Sequence, residues 1–494
     1  LDNCMYGGYK FLYLSPERLQ QETVQERIRQ MQVNLIAVDE AHCISQWGND
    51  FRPAYRRCSI LRDFFPQVPV LALTASATGT VVRDIIENLK LREAAVIKKS
   101  FARENIAYMV FEEADKLYKT AHILKKNRGG AIVYVTNRKA TRDVSEYLNK
   151  QGIRSGFYHG GIPMEEKTTR MRRWLNGDIR VMVATNAFGM GIDKPDVRVV
   201  IHIHLPETIE NYYQEAGRGG RDGKKAFAVL LKNKSDAVRV KKQFLDDFPD
   251  VDFMKLLYKK LNNYFQIAYG EGDHSTFVFN FNDFCSAYGF HPALAYNGIK
   301  LLDRNSVVSL SEAFNSKTSI RFTVGSRPLL AYLDKHPKIK TITQSILRTY
   351  GGIFDHETKI NTGLISAKAA TTEAAVRQAL EQLQADAIIR YNAEHTDAEI
   401  TFLLPREDDK TINTVAKHIE QQRRLKKRQI DAVMDYVNND EICKSVQLLA
   451  YFGEEQAEAC GICSVCIGKK TRSGNAGSHI EGAVLKELSR APLG

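Results

Sequence analysis

The stretch Val33-Asn34-Leu35-Ile36-Ala37-Val38-Asp39-Glu40-Ala41-His42 constrains the fold of this chain more than any other. A short, β-branched apolar run ends abruptly in two adjacent carboxylates. Such a run reads as a buried strand of a parallel sheet, covered on both faces. Its acids then emerge at the carboxyl edge, where open α/β sheets bind ligands. Asp39 suits Mg²⁺ held through water, because this hard ion takes carboxylate oxygens and keeps part of its hydration shell. Glu40 suits the orienting or deprotonation of a water that attacks a γ-phosphate. A lone Asp-Glu pair is more often a mere polar strand end, so the neighbouring residues decide.

Composition sets the outer bounds. A chain of 494 residues with 44% apolar and 26% charged residues fits a globular protein of several domains. No apolar run approaches the length of a membrane span and no signal peptide opens the chain, so no membrane partner is expected. Lys and Arg exceed Asp and Glu by 70 to 58, a net +12 that suits a polyanion and also aids solubility. Of eight cysteines, four crowd into one segment, which points to a metal site in a reducing, cytoplasmic setting and away from a disulfide framework.

The βα pattern runs through the first half. Lys10–Leu14 reads as a strand and Ser15–Leu19 as a turn into a helix. Val68–Leu73 is a further buried strand, ending in Thr74-Ala75-Ser76-Ala77-Thr78, whose hydroxyls can bond the acid motif across the strand ends. From about Phe101 the pattern restarts. Ala131–Val135, Gly156–Gly161, Ile179–Thr185 and Val197–Leu205 read as strands, and Thr136-Asn137 caps a helix over 138–150. Two successive parallel sheets with right-handed crossovers follow. The second strong motif is Gln214-Glu215-Ala216-Gly217-Arg218-Gly219-Gly220-Arg221-Asp222-Gly223. Two guanidiniums three residues apart can face one way from a turn and present forks to phosphate.

The segment from about Phe248 to Arg406 reads as two winged-helix-like units. In the first, a helix near Ala293–Asp303 is followed by a hairpin of Val307–Leu310 with Ile320–Val324. In the second, a helix near Thr372–Gln384 is followed by Ala387–Tyr391 with Glu399–Leu403. They either place helices on DNA or pack as a spacer. Arg423–Arg428 then opens an amphipathic helix, and Cys443, Cys460, Cys463 and Cys466 follow as C-x₁₆-C-x₂-C-x₂-C. Four thiolates in so short a span can close a tetrahedral, structural Zn²⁺ site. A C-x-x-C redox pair would leave Cys443 and Cys466 unexplained.

The first motif continues as Ala41-His42-Cys43-Ile44-Ser45-Gln46-Trp47-Gly48-Asn49-Asp50-Phe51-Arg52-Pro53. This resembles the DEAH box and aromatic-rich loop of RecQ-family DNA helicases. Gln214–Gly223 is similar to that family's sixth motif, with Ala216 and Gly220 at its usual hydroxyl and alanine positions. The four cysteines, with Leu448–Glu454 between them, are similar to its zinc module. The resemblance implies an ATP-dependent helicase moving 3′ to 5′ on DNA in recombination and repair, using ATP, Mg²⁺ and Zn²⁺. It implies single-stranded and duplex or branched DNA as partners, with a single-strand-binding protein beside them, at the nucleoid. Asp39, Glu40, His42, Gln214, Arg218 and Arg221 are the implied catalytic set, Arg221 being the finger and Arg218 its companion. Trp47 and Phe51 would stack on bases, Arg52 would reach a phosphate, and Thr136, His159 and Thr185 would hold the strand.

The expected architecture is α/β. Two RecA-like parallel-sheet lobes (the first incomplete) precede winged-helix-like α+β modules and a helical zinc-binding module. The expected boundaries are 1–97, 98–247, 248–328, 329–415, 416–470 and 471–494, the last a linker and the start of a further helical domain. No G-x-x-x-x-G-K-[ST] phosphate cradle occurs. The expectation is therefore a chain truncated at both ends and inactive alone. A non-catalytic zinc and winged-helix DNA-binding protein, and an RNA helicase, are the competing classes.

Overall fold

The structure is a computed structural model that describes residues 2–45, 52–189, 192–246, 248–310, 317–354, 358–360, 362–394, 399–455 and 458–473. Two compact units emerge, Leu1–Asp247 with Gln421–Gly494, and Phe248–Glu420.

The first unit opens with the acid-bearing strand. β1 (Ile36–Val38) pairs in parallel with β2 (Val70–Ala72), Ile36 opposite Val70. The helices Glu22–Arg29 and Gly79–Asn88 cover this ribbon, their Val24, Ile28, Val81 and Ile85 sharing one core with Ile36 and Val38. Lys10–Leu14, expected as a strand, pairs with nothing among the described residues and leaves Phe11 77% and Tyr13 88% exposed. A strand is stable only where its amides and carbonyls find a ladder.

The second lobe is a six-stranded, all-parallel sheet. Its strands are β3 (Ile106–Glu112), β4 (Gly130–Tyr134), β5 (Ser155–Tyr158), β6 (Val181–Ala184), β7 (Val197–His202) and β8 (Ala226–Lys232). They lie in the order β3-β8-β7-β4-β6-β5. The sequence reading found β4, β5, β6 and β7 and missed β3 and β8, although Ile106–Phe111 and Ala226–Leu231 are buried apolar runs of the same kind. The connections leaving the neighbours β4 and β7 run to opposite sides of the sheet, and the carboxyl ends of such a pair open a ligand crevice.

The cysteine segment belongs to this lobe's core. Tyr108, Tyr212 and Leu230 pack with Val433, Tyr436, Leu448, Phe452 and Cys463 in one buried cluster. The helix leading to it runs unbroken over Asp409–Asn438, so it opens well before the expected start at Arg423.

The second unit holds two three-stranded antiparallel sheets. β9 (Thr276–Val278), β10 (Val308–Leu310) and β14 (Glu399–Phe402) form one, ordered β10-β14-β9. β11 (Lys317–Phe322), β12 (Thr358–Ile360) and β13 (Ile389–Glu394) form the other, ordered β12-β11-β13. The expected hairpins are thus wrong. Val308 faces Phe402, not the 320–324 strand, and Ile320 faces Tyr391. The second module is inserted between β10 and β14 of the first. Each sheet buries one face on its own helices, so core continuity overrode nearness in sequence.

Candidate functional site

β1 ends at Val38, and the chain turns at once. Glu40 adopts the left-handed conformation (φ 48°, ψ 41°), and Asp39 Oδ1 accepts the Glu40 N–H at 2.8 Å. A non-glycine residue in this region costs about 1–2 kcal/mol. The turn carries the Glu40 carboxylate back over His42, with Oε2 3.3 Å from Nδ1. His42 Nδ1 also lies 3.0 Å from Thr74 Oγ1, just beyond β2. The Ala41 amide donates to Leu73 O at 2.8 Å, which ties the two strand ends together. Asp39 is exposed, and capping one amide leaves most of its oxygen lone pairs free, a donor set that fits Mg²⁺.

The arginine motif follows the helix Ile209–Ala216, capped by the Thr208 hydroxyl. Both guanidiniums point to the segment after β6. Arg218 Nη1 donates to Gly189 O at 2.5 Å, and Arg221 Nη1 donates to Ile192 O at 2.8 Å and Asp193 Oδ1 at 2.9 Å. Arg218 Nε is buried and finds no partner among the described residues. The motif's backbone is gripped from the segment that enters the second lobe. Arg103 donates to Gly217 O and Gly219 O at 3.1 and 3.3 Å, and Asn105 Nδ2 donates to Gly220 O at 2.7 Å. Sequence reasoning passed over Arg103, Asn105 and Asp193, which carry no motif signal of their own. It also misjudged Gly220, which is no stand-in for alanine. Its φ is +59°, and an added Cβ would lie 2.4 Å from Asn105 Nδ2. At Gly219 the nearest atom would be 3.3 Å away.

Gln214 joins the two lobes. Its Nε2 donates to Ser76 Oγ at 2.7 Å, and the Ser76 amide is 3.4 Å from the Thr74 hydroxyl that holds His42. A polar path therefore runs from Glu40 through His42, Thr74 and Ser76 to the helix Ile209–Ala216, which Arg218 and Arg221 follow.

Thr136, His159 and Thr185 follow β4, β5 and β6, which are neighbours in the sheet, so all three lie along one carboxyl edge. Thr136 engages His204 Nδ1 through both its amide (3.1 Å) and its hydroxyl (3.2 Å). Burial first, then Arg239 and Lys116, push His204 down to about 4. Burial and then Arg138, Arg142, Arg170 and Lys167 hold His159 below the ordinary imidazole range. That basic ring was not anticipated and suits a phosphate. Arg52 is exposed, while Trp47 and Phe51 fall outside the described residues.

Cys443, Cys460, Cys463 and Cys466 bring their Sγ atoms within 4.8 Å of one another. The Cys443 sulfur lies 3.4 Å from that of Cys460 and 3.8 Å from that of Cys463. A ZnS₄ tetrahedron with Zn–S of about 2.3 Å has edges of about 3.8 Å. Amides of Lys444, Cys460 and Cys466 point at these sulfurs at 3.3–3.4 Å, as they do at thiolates. Hydrogen bonding with Cys460 and Cys463 holds Cys443 far below the usual thiol range. The donor set fits Zn²⁺ with no position left open.

Two α/β lobes, with acids on one and paired arginines on the other, and a four-thiol metal-site candidate fit the α/β fold of the DEAD/DEAH helicase class. Family models agree: DEAD/DEAH box helicase over 2–85, helicase conserved C-terminal domain over 113–223, RecQ helicase winged-helix domain (Bacteroidota) over 320–393, and RecQ zinc-binding over 406–467. Together these matches support a RecQ-family helicase. It is 43% identical over 232 residues to a probable ATP-dependent DNA helicase RecS of Bacillus subtilis, covering 46% of this chain and 47% of that protein. It is 38% identical over 280 residues to the ATP-dependent DNA helicase RecQ of the same organism, covering 56% and 47%. It is 40% identical over 260 residues to a putative ATP-dependent RNA helicase of Acanthamoeba polyphaga mimivirus, covering 51% and 47%. The chain spans about half the length of these curated relatives. No helix among the described residues is long and apolar enough to cross a membrane.

Proposed function

We propose that the whole protein is an ATP-dependent DNA helicase that moves 3′ to 5′ along one strand and opens duplex or branched DNA in recombination and repair. The observation that carries this reading is the polar path from Glu40 through Ser76 to Gln214, which ties the acids of one lobe to the arginines of the other. Asp39 is the residue to hold Mg²⁺ through water, and the ion, when bound, neutralises charge on the phosphates. Glu40 orients the attacking water, and His42 holds the Glu40 carboxylate in place. Arg221 leaves Asp193 for the γ-phosphate as charge develops there, with Arg218 beside it. Thr136, Thr185 and His159, with the basic ring around His159, bind strand phosphates, while Trp47, Phe51 and Arg52 meet bases and backbone. Single-stranded DNA, forked or branched duplex and a single-strand-binding protein are the proposed partners, at the nucleoid. No phosphate cradle of the G-x-x-x-x-G-K-[ST] type occurs in these 494 residues, and they alone turn over ATP negligibly.

A second reading, an RNA helicase, draws on the mimiviral relative's name. The test is ATP hydrolysis by the whole protein, with any residues encoded ahead of Leu1 included, in the presence of single-stranded DNA or RNA of one sequence. DNA is expected to stimulate turnover and RNA not. Arg221→Ala is expected to lower kcat about 10³-fold. Equal or stronger stimulation by RNA selects the second reading.

A further inference from the structure

Glu454 belongs to the zinc module, yet its contacts lie at the entrance to the second lobe. The helix Lys444–Tyr451 closes through Gly453 at φ +84°, whose amide returns to Ala450 O at 3.0 Å while that of Glu454 returns to Leu449 O at 2.9 Å. Glycine-closed helix ends of this type redirect the chain sharply. Here the turn delivers Phe452 and Glu454 to one place. Glu454 Oε2 accepts from the Ser100 hydroxyl at 2.8 Å, and Oε1 accepts from the Phe101 amide at 2.5 Å. The Phe101 ring stacks on Phe452 at 4.4 Å and meets the Tyr213 ring edge-on at 5.7 Å. The Tyr213 hydroxyl donates to Phe101 O at 2.9 Å. Phe101 is therefore fixed at its amide, its carbonyl and its ring. The preceding residues, 89–100, form the connection from the first lobe and contain no helix or strand.

We propose that Glu454 is a positioning residue for the arginine motif. By pinning Ser100 and Phe101 it sets where the inter-lobe connection ends and the second lobe begins. Two residues on, Arg103 grips Gly217 and Gly219, and Asn105 grips Gly220. Tyr213, which closes on Phe101, immediately precedes Gln214. One carboxylate of the zinc module thus holds both the frame around Arg218 and Arg221 and the helix that reaches Ser76, without touching nucleotide or DNA. What the arginines do rests on the helicase reading above; that Glu454 holds them does not.

Glu454→Ala and Glu454→Gln separate the two. Hydrogen exchange of the 494-residue chain is followed in peptides spanning 96–105 and 213–224, with bound zinc measured on the same samples. In Glu454→Ala both peptides are expected to exchange about tenfold faster, the loss of one charge-assisted hydrogen bond, with zinc content unchanged. Glu454→Gln keeps an oxygen acceptor for the Phe101 amide and is expected to restore most of the protection. In the whole protein, Glu454→Ala is expected to lower kcat for DNA-stimulated ATP hydrolysis about fivefold to tenfold, with KM for ATP and DNA affinity within twofold. The proposal is overturned if 213–224 exchanges as in the wild type. It is also overturned if zinc is lost together with protection throughout the lobe, or if kcat is unchanged. Absence of hydrolysis in the wild type would sink the helicase reading and leave the exchange result to decide on Glu454.

Discussion

Gln214 Nε2 donates to Ser76 Oγ across 138 positions of sequence at 2.7 Å, and this hydrogen bond links the two α/β lobes at the level of their candidate chemical groups. Gln214 stands four residues before Arg218, while Ser76 stands two after the Thr74 that holds His42. The bond therefore connects positions whose spacing has to change if the lobes close on a triphosphate. Ser76→Ala and Gln214→Ala, alone and combined, are expected to show a coupling of about 1 kcal/mol in unfolding free energy. Additive losses would mean that the two side chains do not meet in solution.

Gly220 and Gly219 are neighbours with opposite tolerance. An alanine at 220 has to hold φ +59° and push aside both Asn105 Nδ2 and, 2.6 Å from the new Cβ, Lys224 O. Gly220→Ala is expected to cost about 2–4 kcal/mol, and Gly219→Ala less than about 1.5 kcal/mol. Urea unfolding of the two variants measures the difference. Equal losses would contradict the frame drawn around the arginine motif.

Zinc removal reaches beyond the cysteines. Cys443, Cys463 and Cys466 sit in one buried cluster with Tyr108, Tyr212 and Leu230, and Ser464 Oγ accepts the Val110 amide of the edge strand β3 at 3.3 Å. A strong chelator is expected to release one zinc per chain and to deprotect β3 amides as well as the module, because metal binding free energy is folding free energy here. Cys460→Ser is expected to do the same without chelator. Chelation that leaves β3 protected would make the module an independent appendage.

His204 ties stability to pH. Burial and nearby cations lower it to about 4, whereas the unfolded chain protonates it near 6.5. Between these values the unfolded state binds more protons, so stability rises with pH. The contribution is complete above pH 6.5 and is lost as pH falls through this window, by up to roughly 3 kcal/mol. His204→Asn should flatten this part of the profile relative to the wild type. An unchanged slope would place the titration elsewhere.

Much of the two-lobed fold was legible because its strands and motifs sit in contiguous residues. Asp39-Glu40 gains its reading from the contiguous residues Ala41 to Pro53, and Cys443, Cys460, Cys463 and Cys466 gain theirs from their spacing. Arg103 and Asn105 were invisible because they act on carbonyls of Gly217, Gly219 and Gly220, more than a hundred residues away, and a single polar side chain carries no pattern. The strand pairing of the second unit failed for a related reason. β10 and β14 are separated by a whole inserted module, and alternation along a strand tells which face is buried, not which partner it meets. The aromatic loop around Trp47 and Phe51 was the clearest family signature, and it lies outside the described residues.

The most direct measurement is a structure of the whole protein with Mg·ADP·BeF₃ and a short single-stranded oligodeoxynucleotide. The prediction is that Arg221 releases Asp193 and contacts the fluoride group, with Arg218 beside it, Asp39 facing the metal's water shell and Glu40 facing the attacking water. If Arg221 stays on Asp193 and the nucleotide binds away from Asp39 and Glu40, the two lobes do not share one catalytic site.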